Sequence, residues 1–229
     1  MTLPAIAPYP MPLDAELPAN KADWKVDPDR AVLLIHDMQR YFVDAFPAGA
    51  DPVTSLTGNV RTLRERCAAQ GVPVAYTAQP GGMSEQDRGL LRDFWGPGMT
   101  VGPEQREVVD GLAPRPGDQV YTKWRYSAFH RTGLLEFLRE QGRDQLVICG
   151  IYAHIGCLAT AVESYTNDIQ TFLVADAVAD FTAEDHRMAL DYAAGRCAVV
   201  LPTRTVTDQI QQSRQPDRFA RLATTPEIR

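Results

Sequence analysis

The stretch Ala31-Val-Leu-Leu-Ile-His-Asp37 decides the fold of this chain. Five consecutive apolar residues are followed by polar His36 and Asp37, a pattern typical of a strand that is buried on both faces and ends at a sheet edge. Comparable apolar runs predict further strands at residues 72–77, 119–122, 145–149, 171–174 and 198–201.

Helical patterns fill most of the segments between these strands. Apolar spacing and terminal glycines predict helices over residues 56–70, 134–138, 157–167, 183–194 and 203–212, with a shorter one near 85–94 in a glycine-rich loop. Strands that alternate with helices predict an α/β fold. We expect a doubly wound, mostly parallel six-stranded sheet with helices on both faces, as in Rossmann-like proteins.

The chain divides into three predicted segments. A proline-rich, extended N-terminal arm is expected over residues 1–30, a single domain over residues 31–212, and a polar tail over residues 213–229. A chain of 229 residues is long enough for one well-buried domain. No internal repeat or linker divides the middle segment.

Composition narrows the class of function. The net charge of -6 argues against nucleic acid as a partner, because binding to phosphates needs a basic face. No apolar run reaches the length of a membrane span, and the N-terminus has no signal-peptide pattern. The 4 cysteines form no C-x-x-C pair, so we expect reduced thiols in a cytoplasmic protein.

Polar residues follow several of the predicted strands and are the candidates for chemistry, since ligands of doubly wound sheets bind at the carboxyl ends of the strands. Asp37 follows the first strand; it could be a catalytic acid or the cap of the next segment, and spacing alone leaves both open. Lys123 follows the third strand and is placed to pair with a carboxylate. Beside Arg125, with Trp124 and Tyr126 as neighbours, it indicates a basic pocket wall.

Cys157 offers a different chemistry. It stands at the entry to a predicted helix, where the helix dipole lowers a thiol pKa, so Asp37, Lys123 and Cys157 would suit a cysteine amidohydrolase. A small buried thiol is the simpler interpretation of an isolated cysteine. The 4 histidines show no metal-ligand spacing, and Gly81-Gly82 lacks the Lys-Ser/Thr partner of a phosphate loop. We therefore expect no metal and no cofactor. On a strand, His36 and Asp37 would point to opposite faces.

Five stretches of the chain, in order, resemble the isochorismatase family from about Tyr9 to Val206. They are Leu34-Ile-His-Asp-Met-Gln39, Tyr76-Thr-Ala-Gln-Pro80, Phe94-Trp-Gly-Pro-Gly98, Lys123-Trp-Arg-Tyr-Ser-Ala-Phe129 and residues 150–161. The resemblance implies the same doubly wound fold. The wider superfamily contains amidohydrolases with an Asp-Lys-Cys triad, so the resemblance also implies that Asp37 and Lys123 belong to an active site.

In that alignment the nucleophilic cysteine falls on Gly156 rather than on Cys157. One residue on a helix turns a side chain by about 100 degrees, so Cys157 would point away from the site. The resemblance to the branch with glycine at this position implies hydrolysis of a vinyl ether, with Asp37 as the proton donor and Lys123 as its orienting partner. Gly156 is expected to leave room for the enol-pyruvyl group.

The resemblance further implies a small dicarboxylate substrate and a homodimer. Two substrates are considered: 2-amino-2-deoxyisochorismate, favoured by residues 79–83 and by the absence of a carrier-protein domain, and isochorismate, which residues 127–131 favour. A cysteine amidohydrolase is the third alternative. The implied substrate contacts are Phe42, Gln79, Arg88, Trp95, Tyr152 and the backbone at Gly156.

Overall fold

A computed structural model describes residues 3–213 and contains one six-stranded sheet. The strands are β1 (Ala31–His36), β2 (Val74–Ala78), β3 (Gln119–Thr122), β4 (Gln145–Ile151), β5 (Gln170–Ala179) and β6 (Val199–Leu201). Their order in the sheet is β3-β2-β1-β4-β5-β6, and every neighbouring pair is parallel. The predicted doubly wound fold is confirmed, with the order reversing between β1 and β4.

Strand β1 lies at the centre of the sheet and all its residues are buried. Alternate side chains enter different cores, because successive residues of a strand face opposite sides of the sheet. Leu33 and Ile35 pack on one face, and Val32 and Leu34 pack on the other. The continuous apolar run of β1 is therefore the sequence of a strand covered on both sides.

Nine helices accompany the sheet over the described residues. They are α1 (Arg40–Val43), α2 (Val53–Ala69), α3 (Glu85–Arg88), α4 (Leu91–Trp95), α5 (Pro103–Arg106), α6 (Leu134–Glu140), α7 (Leu158–Thr166), α8 (Ala183–Arg196) and α9 (Thr203–Gln212). The helix expected near residues 85–94 is two short helices, because Gly89 interrupts it with a φ of +49°. A π-helical turn, Ala153–Cys157, precedes α7.

The N-terminal arm packs partly into the core rather than only along the surface. Ile6 and Tyr9 are buried, and the backbone N–H of Asp180 donates to the Tyr9 hydroxyl at 2.7 Å. A short 3-10 helix, Asp14–Glu16, interrupts the extended backbone. Of the predicted polar tail, residues 214–229 lie outside the described residues. No helix among residues 3–213 has the length and apolar character needed to cross a membrane.

Candidate active site

One cavity opens at the carboxyl edge of the sheet, next to the reversal of strand order. The volume of the cavity, including its open mouth, is about 570 Å³. Residues that directly follow four strands line it: Asp37 after β1, Gln79 after β2, Lys123 after β3 and Tyr152 after β4. All eight residues named for the site from the sequence lie on this cavity: Asp37, Phe42, Gln79, Arg88, Trp95, Lys123, Tyr152 and Gly156.

Asp37 is held by hydrogen bonds to both carboxylate oxygens. The residue is 4% exposed and has a φ of +49°, which turns its side chain out of the strand direction. The Thr77 hydroxyl accepts from the Asp37 backbone N–H at 3.1 Å and donates to Oδ1 at 2.6 Å. Lys123 Nζ donates to Oδ2 at 2.9 Å, and Gln79 Nε2 lies 3.4 Å from the same oxygen.

These contacts decide the charge of Asp37. Burial raises the pKa of the carboxyl, but the charge of Lys123 and the hydrogen bonds from Thr77 and Lys123 outweigh the effect of burial. The pKa of Asp37 is therefore lowered, and the site rests as a buried carboxylate–ammonium pair.

His36 also faces the cavity, so the expectation that it points away from Asp37 is wrong. Strand alternation stops at His36, because Asp37 has left-handed backbone and lies outside the strand. His36 Nδ1 lies 2.7 Å from the Ile151 carbonyl oxygen, which can only accept, so Nδ1 carries the proton. Burial lowers the pKa of His36 to about 4, so the ring is neutral at pH 7.

The space expected beside Gly156 is filled by the His36 ring. A Cβ built on Gly156 would overlap ring carbon Cε1 and would lie 2.8 Å from Nε2. The expectation that this glycine leaves room for an enol-pyruvyl group is thus wrong at the Cβ position. The backbone of Gly156 still lines the cavity.

Cys157 belongs to the core. It is fully buried in the same hydrophobic cluster as Leu134, Leu138 and Ala161, and it does not line the cavity. Burial raises the pKa of its thiol well above the ordinary value. Burial therefore keeps this thiol protonated, despite its position at the entry to the helix.

The remaining walls combine one fixed cation with aromatic rings. Arg88 Nε donates to the Gly96 carbonyl at 2.8 Å, which anchors its guanidinium near Gln79. The Tyr152 hydroxyl donates to the Phe42 carbonyl at 2.9 Å. Tyr152 also packs against Phe181 in a tilted arrangement, with ring centroids 4.3 Å apart.

Sequence reasoning missed Tyr41 and Phe181 as cavity residues. Phe181 follows β5 closely, so the strand-end argument that found Asp37 could have found it as well. Its ring also lies 5.9 Å from that of Trp95 and joins two walls of the cavity.

One cluster outside the cavity has the donor types of a metal site. His154, Asp180 and Asp185 bring potential ligand atoms within 4.8 Å of one another. Both oxygens of Asp180 already accept hydrogen bonds, from the backbone N–H and ring Nδ1 of His154 and from the Phe181 N–H. The cluster is a His–Asp pair that fixes the turn after β4.

Comparison with known proteins agrees with this architecture. The Isochorismatase domain model matches residues 31–205. The isochorismatase of Bacillus subtilis (strain 168) is 59% identical over 213 residues, covering 93% of this chain and 68% of that protein. The phenazine biosynthesis protein PhzD of Pseudomonas fluorescens is 58% identical over 205 residues, covering 89% of this chain and 98% of that protein.

A solved structure shows the same fold at lower identity. A cysteine hydrolase from Pseudomonas syringae pv. phaseolicola 1448A superposes with a TM-score of 0.75 at 23% identity, covering 86% of this chain and 98% of that one. The doubly wound parallel sheet, its strand-end cavity and these similarities together identify a hydrolase with an α/β fold. This chain belongs to the isochorismatase family.

Proposed function

We propose that this hydrolase cleaves the enol-pyruvyl ether of 2-amino-2-deoxyisochorismate, giving trans-2,3-dihydro-3-hydroxyanthranilate and pyruvate. The observation that carries the proposal is that the buried carboxyl group of Asp37 lies in a cavity whose described lining residues include no thiol nucleophile. Asp37 and Lys123 meet at the base of the cavity, and none of the described cavity residues is a cysteine, serine or threonine. Amide hydrolysis of the covalent type needs such a nucleophile, whereas vinyl ether hydrolysis needs an acid.

The reaction begins with proton transfer from Asp37 to the terminal methylene carbon. The alkene electron pair forms the new C–H bond, and the adjacent carbon becomes an oxocarbenium ion. Water adds to that carbon and gives its proton back to the Asp37 carboxylate. The hemiketal hydroxyl then loses its proton and becomes the keto group of pyruvate as the bond from its carbon to the ether oxygen breaks. That oxygen takes up the proton and leaves as the hydroxyl of the substrate ring.

The hydrogen bonds around Asp37 indicate which oxygen delivers the proton. The Thr77 hydroxyl donates to Oδ1 of the ionised carboxylate, which can only accept, and also accepts from the Asp37 backbone N–H. The transferred proton is therefore assigned to Oδ2, the oxygen beside Lys123 and Gln79.

A dicarboxylate substrate would change the charge balance of this site. Cationic Arg88, Lys123 and Arg125 all line the cavity, so an acidic protein offers its substrate a local basic surface. A protonated Asp37 at pH 7 needs a pKa about three units above the ordinary value of about 3.9, which corresponds to about 4 kcal/mol, and the shift is larger from the lowered pKa in this site. A carboxylate that pairs with Lys123 and adds negative charge near Asp37 acts in that direction.

The amino substrate is favoured by the similarity of residues 79–83 to phenazine-type enzymes, and a phenazine biosynthesis protein is 58% identical to this chain. Isochorismate is the second candidate, because a protein named isochorismatase is 59% identical.

The decisive experiment measures pyruvate release from both isochorismates, with Asp37→Ala as the inactive control. Faster release from the amino substrate supports the proposal, and faster release from isochorismate selects the second candidate. No pyruvate from either substrate would refute enol-pyruvyl ether hydrolysis. The homodimer and the cytoplasmic location expected from the sequence stay predictions, the first testable by analytical ultracentrifugation.

A further inference from the structure

The ring of His36 lies against Gly156 at the wall of the cavity. Gly156 lies on the π-helical turn that leads into α7, at the inner wall of the cavity. It is buried, and the nearest atoms to its missing side chain all belong to the His36 ring.

The His36 ring has little freedom to move away. It is fully buried, and its Nδ1–H bond to the Ile151 carbonyl ties it to the end of β4. The carbonyl oxygen of His36 is itself packed against Gly150, where a Cβ would overlap it. Backbone and ring are therefore both held, so a side chain at position 156 would have to displace a hydrogen-bonded imidazole.

Nε2 of His36 points to the same role. It lies 2.8 Å from the Cβ position of Gly156. With Nδ1 protonated, Nε2 of the neutral ring carries a lone pair, but the atom is buried and is not exposed to the cavity. The ring supplies volume at this position.

We propose that His36 is a specificity-determining residue, which occupies the place of a side chain at position 156 and so dedicates this cavity to hydrolysis without a covalent enzyme intermediate. The inference rests on the proposed function for the identity of the reaction that the cavity performs. The exclusion of a side chain at position 156 by the His36 ring is a steric property of the folded chain. It can be tested without any substrate.

The first test is a double-mutant cycle read by thermal unfolding. Gly156→Ala should lower Tm by about 2–10 °C in the otherwise native chain, the usual cost of overpacking a core. In the His36→Ala background, the same substitution should change Tm by only about 1 °C, because the overlapping ring is gone. His36→Ala alone also lowers Tm, since it leaves the Ile151 carbonyl without its donor.

Two controls match the chemistry of the cycle. His186 is another buried histidine, with both ring nitrogens in hydrogen bonds, so His186→Ala should not relieve the cost of Gly156→Ala. Gly58 lies in α2 with no atom near its Cβ position, so Gly58→Ala should not lower Tm. Equal losses from Gly156→Ala with and without His36 would overturn the inference.

The second test measures a thiol. All four native cysteines are buried, so iodoacetamide should label the native fold slowly. Gly156→Cys combined with His36→Ala should be labelled at least about 10-fold faster than Gly156→Cys alone, measured by mass spectrometry. Equal labelling rates would contradict the exclusion by His36. Because neither test uses turnover, a failed pyruvate assay leaves their outcomes interpretable.

Discussion

Removing the ammonium of Lys123 should make the stability of this protein depend on pH in a new way. In the native chain, the pKa of Asp37 is lowered, so the carboxylate contributes stability above the unfolded pKa of about 3.9, and that contribution is lost only as pH falls through the still lower folded pKa. Between pH 5 and 7, Asp37 therefore adds no pH dependence to the native fold.

In Lys123→Met, the largest opposing effect disappears and burial raises the pKa of Asp37 above its unfolded value. Lys123 Nζ and Asp37 Oδ2 are 2.9 Å apart, and both residues are at most 4% exposed, so breaking this pair should cost about 3–5 kcal/mol at pH 7. The folded variant now binds more protons than the unfolded chain. Its stability should therefore rise on acidification, by up to about 1.4 kcal/mol per pH unit.

The assay is thermal unfolding of native chain and variant at pH 7, 6 and 5. Over these two pH units the free energy of unfolding of the variant should rise by about 2.7 kcal/mol relative to the native chain. At about 2–4 °C per kcal/mol, the gap in Tm between the two proteins should narrow by about 5–10 °C. Asp37→Asn combined with Lys123→Met is the control, because it has no proton to take up and should show no such narrowing. A gap that is the same at pH 5 and pH 7 would refute the assignment of Lys123 as the group that keeps Asp37 ionised.

Four further outcomes are expected. Asp37→Asn should reduce pyruvate release by about 10²- to 10⁴-fold while the fold survives, and an active variant would exclude Asp37 as the acid. Thr77→Val should lower kcat by roughly 10- to 100-fold, because it removes one charge-assisted hydrogen bond to Asp37. Thr77→Ser should restore part of the lost kcat. An unchanged kcat in Thr77→Val would show that Thr77 does not position Asp37. Cys157→Ala should retain turnover, whereas abolished turnover would support a cysteine amidohydrolase. Finally, the acidic pKa in the kcat profile should lie above that in kcat/KM if substrate raises the pKa of Asp37, and equal values near 4 would contradict this.

The strand-end positions of the site could be predicted because they follow from sheet geometry. Once β1, β2, β3 and β4 are recognised as parallel neighbours, the residues after them must meet at one edge, and Asp37 and Lys123 do so at hydrogen-bond distance. Apolar runs and the polar residues that end them are therefore enough to place the carboxyl group of Asp37 and the ammonium group of Lys123 at the same edge of the sheet.

The packing around those residues could not be predicted in the same way. The period-two rule puts His36 and Asp37 on opposite faces only if the strand continues through Asp37, and the positive φ of Asp37 ends it. The volume beside Gly156 depends on the His36 ring, which comes from β1 at a distant place in the sequence, and no local pattern reports it. Backbone conformation and contacts between distant segments limit sequence reasoning at both places.

The bond between Tyr9 and Asp180 has a consequence for how the chain would respond to proteases. Asp180 joins the N-terminal arm to the turn that carries His154, and the next residue, Phe181, forms part of the cavity wall. A cut that released the arm would remove the Tyr9 hydroxyl from beneath this wall while leaving every strand of the sheet intact. Nicked protein would then lose catalytic efficiency before it lost its circular-dichroism spectrum, so enzyme activity is the more sensitive measure of intactness for this molecule.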